Sequence, residues 1–214
     1  MRASRSKGHL SARLGMLALA GMAVFLATSA AAQFLRHDLD WIAAPNSFYL
    51  IGPWSGMVRA GYYAMAAALV LFAVAAYREL TPEARSAAPL LLFVLGGVAL
   101  AVTVIAHTNQ PDTPPTLQGY VHGIAAAAAF LCTATAMLLQ AWRLRSDPRW
   151  RRWWKPAFAY AAVCFALLWL SAARLNVPHG LGEKVLIVLI TGWLMAAAYR
   201  LACIAGAADG GTES

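Results

Sequence analysis

The amino-acid sequence predicts an all-α polytopic membrane protein, a bundle of six transmembrane helices, and three observations carry that prediction. Of its 214 residues, 61% are hydrophobic and only 12% charged, a balance outside the range of soluble globular domains and opposite to that of disordered chains. Apolar runs close to the ~20 residues that cross a hydrocarbon core as a helix recur along its length. None alternates with period two, and a backbone in lipid closes its hydrogen bonds only in helices or barrels, so each run is expected to be helical.

Each span follows from its boundaries. The first, 14–35, starts after the basic N-terminus 1–13 and stops at Arg36. The second, 57–77, has its apolar core from Ala60 and ends before Arg78. The third, 86–107, runs from Ser86 after Arg85 to the polar stretch that opens at His107. The fourth, 119–142, lies between that stretch and Arg143, and the fifth, 156–175, follows Lys155. The sixth, 183–203, contains Arg200 near its end, where a long cationic side chain can snorkel to the interface. The stretch 205–214, of Gly, Ala and polar residues, is expected to be a disordered tail.

Six spans put both termini on one side, and the placement of positive charge says which. Arg2, Arg5, Lys7, Arg13, Arg78, Arg85, Arg143, Arg145, Arg149, Arg151, Arg152, Lys155 and Arg200 fall on the side of the termini. Only Arg36, Arg59, Arg174 and Lys184 fall on the other. Short cytoplasmic loops are enriched in Lys and Arg, so an inner-membrane protein with cytoplasmic termini is expected. The net charge of +8 is thereby topological, which argues against nucleic acid as a partner. A rival reading takes 1–32 as a cleaved signal peptide, on its basic start and the small residues Ala27 to Ala32 before Gln33; the length of the apolar run favours a retained helix.

Small residues at four-residue spacing let membrane helices approach closely. Two such stripes are expected packing faces: Gly56, Ala60, Ala64 and Ala68 on the second helix, and Gly119, Gly123 and Ala127 on the fourth. Cys132, Cys164 and Cys203 each lie in an apolar stretch and read as packing residues. The run Trp150, Arg151, Arg152, Trp153, Trp154 and Lys155 reads as an aromatic belt that anchors the fifth helix at the interface, with recognition of anionic lipid as the alternative.

Polar chemistry gathers on the side opposite the termini. The first loop there carries Asp38, Asp40, Asn46 and Ser47, the second His107, Asn109, Asp112 and, one turn into the fourth helix, His122, and the third Arg174, His179 and Glu183. Ligand-binding candidates are therefore His122, Asp112, Asn109, His107, Arg174, Glu183, Asp38 and Asp40. His107, His122 and His179 form a candidate metal set, although no pair sits at i, i+4; ligation of one haem by His107 and His122 is a weaker alternative. Arg174 and Glu183 are expected to form an ion pair across the third loop, either structural or gripping a head group. Thr103, Thr133, Thr135 and Thr191 are the polar groups of the span interiors and are expected to bond back to their own helices. No Gly-rich phosphate loop, G-x-S-x-G elbow or H-E-x-x-H motif occurs.

Three blocks resemble one family. Leu35, Arg36, His37, Asp38, Leu39 and Asp40 lead through Asn46 and Ser47 to Gly52, Pro53 and Trp54. Asp112 to Gly119 follows, with His122 after it, and then Gly180, Leu181, Gly182, Glu183 and Lys184. Their order over residues 15 to 203 resembles a bacterial membrane family catalogued as domain of unknown function 998 (DUF998). The resemblance implies six spans and supplies no activity to carry over. This chain has His107, Thr108 and Asn109 where the family has Pro-Thr-Asp, so an amide replaces a carboxylate, and Glu183 and Lys184 where the family has Glu-Arg.

The leading functional reading is a bundle whose outward-facing polar pocket binds a lipid, a head group or a small solute, without a cofactor. The alternatives are a membrane-embedded metal-dependent hydrolase acting on lipid, with His107, His122, His179 and Asp112 as ligands, and a structural partner in a membrane complex. Transport is disfavoured, because the spans lack midplane charges and paired Gly or Pro breaks.

Overall fold

A computed structural model describes residues 2–110, 113–173 and 178–210, with side chains from 8 to 207 within those segments. Six long helices follow one another: α1 (Arg2–Leu35), α2 (Ser55–Glu79), α3 (Ala87–Ile105), α4 (Leu117–Leu144), α5 (Trp154–Ala172) and α6 (His179–Gly210). All six are long and apolar enough to cross a membrane, and the described residues contain no strand. The chain is a multi-pass, all-α membrane bundle.

Helix boundaries follow local chemistry. Ser86 caps α3 by accepting from the Ala88 amide, and Thr116 caps α4 by accepting from the Gly119 amide. α1 runs back to Arg2, through the basic segment, as one helix. α5 ends at Ala172, short of the expected 175. α6 begins at His179, ahead of the expected 183, which moves His179 from a loop into the first helical turn, and it continues past 203 to Gly210.

Sequential neighbours pack in a closed ring, α1 on α2, α2 on α3 and so on, with α6 returning to α1. Bare backbone makes the close approaches possible, as membrane packing requires. A Cβ on Gly21 would lie 2.8 Å from the Ala64 carbonyl oxygen and 3.1 Å from the Ala68 Cβ, so Ala64 and Ala68 do face α1. A Cβ on Gly97 of α3 would come 2.8 Å from the Ala66 oxygen of α2. The expected stripes hold only in part: Gly56 and Gly123 face open space, and Gly119 meets Asn109 of its own loop. Gly15 near the start of α1 packs on Ala198, Leu201 and Ala202 near the end of α6, so these helices run antiparallel and both termini share one face. We call this the terminal face, and the opposite one the far face.

α5 is the least embedded helix, with Ala161 and Cys164 its buried residues, and it leans mainly on α4 and α6. The central core is built by Met22 and Phe25 of α1, Leu69 and Phe72 of α2, Phe93 of α3, Met137 of α4 and Leu194 of α6. Phe72 is packed edge-on by both Phe93 and Trp193.

Candidate functional site

On the far face the first loop folds back into the ring instead of lying over it. Its anchor is Arg36, buried at the end of α1, whose Nε and Nη2 each donate at 2.7 Å to the two Asp38 oxygens while Nη1 donates at 2.6 Å to the Ile51 carbonyl. The bidentate hydrogen bond from Arg36 holds the Asp38 carboxyl below the usual carboxylate range, and the same contact raises Arg36. Gly52 lies against the guanidinium at φ 83°, a left-handed conformation that suits glycine. Asp40 closes the next turn by accepting from the Ile42 amide at 2.8 Å.

The loop thus delivers a 3-10 turn, Asn46–Leu50, between α1 and α2. Asn46 is 1% exposed, and its Nδ2 donates at 3.0 Å to the Tyr62 hydroxyl and at 3.3 Å to the Ser29 hydroxyl. α6 is clasped to the same loop. Gly180 packs directly on the backbone of Ala43 and Ala44, closer than any side chain would permit, and Lys184 donates through Nζ to the Trp41 carbonyl and lies 5.3 Å from the Tyr49 ring centroid. This clasp puts Glu183 beneath the Asn46 turn, facing its backbone amide.

Behind the turn lies a cavity of about 100 Å³ that reaches from the far face toward mid-bundle. Phe25, Met65, Leu69, Leu100, Ile187 and Ile190 make most of its wall, and Tyr62, Thr103, His122, Thr133, Glu183 and Thr191 supply its polar groups. His122, 5% exposed, turns Nδ1 to the Ala106 carbonyl at 2.9 Å and the Thr103 carbonyl at 3.0 Å. Both partners are acceptors, so Nδ1 carries a proton, and Nε2 has no hydrogen bond among the described residues. Glu183 is 15% exposed, and its one ion pair among the described residues is a loose one, 3.9 Å to His179, itself 77% exposed. Thr103 bonds back to the Leu100 carbonyl at 2.6 Å, as expected of it. The cavity therefore brings Glu183 and His122 together with the hydroxyls of Tyr62, Thr103, Thr133 and Thr191 in a mostly apolar wall.

The structure brings together only part of the candidate set. His122 and Glu183 line the cavity. Asp38 and Asp40 brace the first loop. Asn109 accepts from the Thr116 amide at 3.0 Å and from its hydroxyl at 2.9 Å, closing the second loop. His107 is engaged on both sides, with Nε2 at 3.3 Å from Arg59 and Nδ1 at 3.0 Å from Gln118. Asp112 and Arg174 lie outside the described residues, and with Arg174 the expected pair to Glu183. The metal set of His107, His122 and His179 is not assembled: among the described residues no three His, Cys, Asp or Glu side chains come close enough to share an ion. His107 is held at the rim by Arg59 and Gln118, His122 is turned into the core, and His179 projects outward from α6.

Tyr62 and Ser29 were not singled out in the sequence, where an aromatic and a hydroxyl inside apolar runs read as span residues. Asp147 was also missed, on the terminal face. It is fully buried and accepts from the Thr81 amide at 3.2 Å and from Arg149 Nη2 at 2.9 Å, while Arg149 also pairs with Glu79 at 2.6 Å. Arg143 donates to the carbonyls of Glu83, Ala84 and Arg85, so cations and two acids lock the two loops of that face together.

Over residues 19–200 the chain matches the model of a family described as protein of unknown function (DUF998). No curated protein matches it, and no solved structure does.

Proposed function

The chain belongs to the DUF998 family, and from that premise of a membrane bundle without an assigned activity we propose that it binds a small solute, or the polar end of an amphiphile, in the cavity behind the Asn46 turn. The observation that carries the reading is Glu183, a carboxylate inside a membrane helix that lines a cavity without a close cationic partner among the described residues. Intramembrane ionisable groups are costly and mark ligand or ion pathways. With His122 Nε2 as a second acceptor, the chemistry selects a ligand that brings hydrogen-bond donors on a compact apolar body, such as a primary ammonium or an alcohol. A volume of about 100 Å³ admits a few heavy atoms and no whole lipid. The hydrolase reading gains no support, because His107 and His122 are engaged by separate hydrogen bonds and His179 projects outward.

Thermal unfolding of the detergent-purified protein with n-butylammonium, and with butyrate as the anion of matched size, tests this. The ammonium should raise the melting temperature and butyrate should not, since a ligand at a hundredfold excess over Kd stabilises by about 2.7 kcal/mol. Glu183→Gln and His122→Gln should melt near the wild type and lose the shift. Equal shifts in wild type and both variants would show that the cavity is not the site. We place the chain in the inner membrane with cytoplasmic termini, on the positive-charge asymmetry.

A further inference from the structure

A second hollow lies at the terminal face, away from the cavity proposed above. It has a volume of about 280 Å³ and sits between α4, α5 and α6. Pro156, Ala157 and Tyr160 of α5 form one wall, and Gly192, Ala196 and Ala197 of α6 the other. A Cβ on Gly192 would meet only the Tyr160 hydroxyl, at 3.2 Å, so this glycine leaves depth between the helices. Because α5 is so little embedded, the seam opens toward lipid.

The mouth of the hollow is cationic and aromatic. Arg200 lies with its guanidinium carbon 4.6 Å from the Trp153 ring centroid and 5.4 Å from that of Trp150. It donates through Nη2 to the Arg149 carbonyl at 2.8 Å, while its buried Nε has no partner. Trp150, 3% exposed, lines the same hollow, and its indole N–H is also without a partner. Two buried donors without acceptors at one site ask for an oxygen-rich ligand. The nearby acids cannot serve, since Asp147 and Glu79 are both taken by Arg149. Arg151 and Arg152 add exposed positive charge beside the mouth.

We propose that this hollow is a binding site for an anionic phospholipid of the surrounding bilayer, with one acyl chain along Gly192 and Ala196 and the phosphate on Arg200 and Trp150. Charge complementarity selects the anionic head group, and the apolar slot beneath selects a chain. A zwitterionic lipid satisfies the slot but lacks the net charge.

Native mass spectrometry of the full chain, titrated with phosphatidylglycerol and with phosphatidylcholine of the same acyl chains, reads the site directly. The first phosphatidylglycerol should bind about fivefold more tightly, the factor expected for one basic side chain at a membrane surface. Arg200→Gln should reduce it to the phosphatidylcholine level, and Arg78→Gln, on the same face but away from the hollow, should leave the preference intact. Gly192→Leu, which fills the slot while keeping Arg200, should weaken the first phosphatidylglycerol event severalfold, and it tests the proposal even if Arg200→Gln does not fold. The proposal is overturned by a wild type without preference, by an Arg200→Gln that keeps it, by an Arg78→Gln that loses as much, or by a Gly192→Leu that binds as the wild type does.

Discussion

Replacing Asp147 by alanine should destabilise the bundle by about 2–3 kcal/mol, although the residue lies in a loop. The side chain is fully buried and accepts from the Thr81 amide and from the Arg149 amide and guanidinium. Breaking a buried pair from one side costs about 3–5 kcal/mol. Here Arg149 is 36% exposed and keeps Glu79 at 2.6 Å, so solvent screening and the surviving partner lower the figure. The amides of Thr81 and Arg149 then lose their acceptor, at about 1 kcal/mol or more each. Asp147→Asn keeps one acceptor oxygen and should cost about half as much. The pH dependence has a definite sign. Burial pushes the Asp147 carboxyl up, but the hydrogen bonds from Arg149 and Thr81 outweigh it, so its folded pKa lies below the ordinary value. Its contribution is therefore complete above the unfolded pKa near 4 and lost as pH falls through the lower folded value. Equilibrium unfolding in mixed micelles at pH 7 and pH 3 should show the gap between wild type and Asp147→Asn closing in acid. An alanine variant within 0.5 kcal/mol of wild type at pH 7, or a gap that widens in acid, would refute the argument.

Two further outcomes follow from packing and topology. Gly21→Val should push α1 from α2, because the new Cβ meets the Ala64 backbone and not a movable side chain; a loss of about 1–3 kcal/mol is expected for such overpacking, and unchanged unfolding would place the seam elsewhere. With Cys132, Cys164 and Cys203 replaced by serine, Thr113→Cys in intact cells should react with a membrane-impermeant maleimide and Arg152→Cys should not. The opposite labelling pattern would reverse the proposed orientation.

The six spans were legible because each apolar run ends at a charge or a polar loop, a one-dimensional signal. The start of α6 was not, since Gly180 and Gly182 read as loop residues; Gly180 lets the helix touch Ala43 and Ala44, a contact far away in sequence. His122 was legible from its place one turn into α4, and Glu183 as a carboxylate at a helix entry. The distribution of the histidines was not, because order along a loop does not say which face of a helix each will take. Asp147 carried no signal in a loop read only for its cations, and the folded loops reveal that it is sealed from water.

The contact between Gly180 and the first loop also bears on how the protein is made. Helices enter the bilayer in order of synthesis, and α6 is the last. Until it arrives, the Asn46 turn has no Glu183 beneath it and the Trp41 carbonyl has no Lys184. A chain stopped after α5 would hold an unfinished chamber, open where Glu183, Ile187, Ile190 and Thr191 complete the wall. The last helix to be made is therefore the one that closes the ring, and it does so where Gly180 meets the first loop.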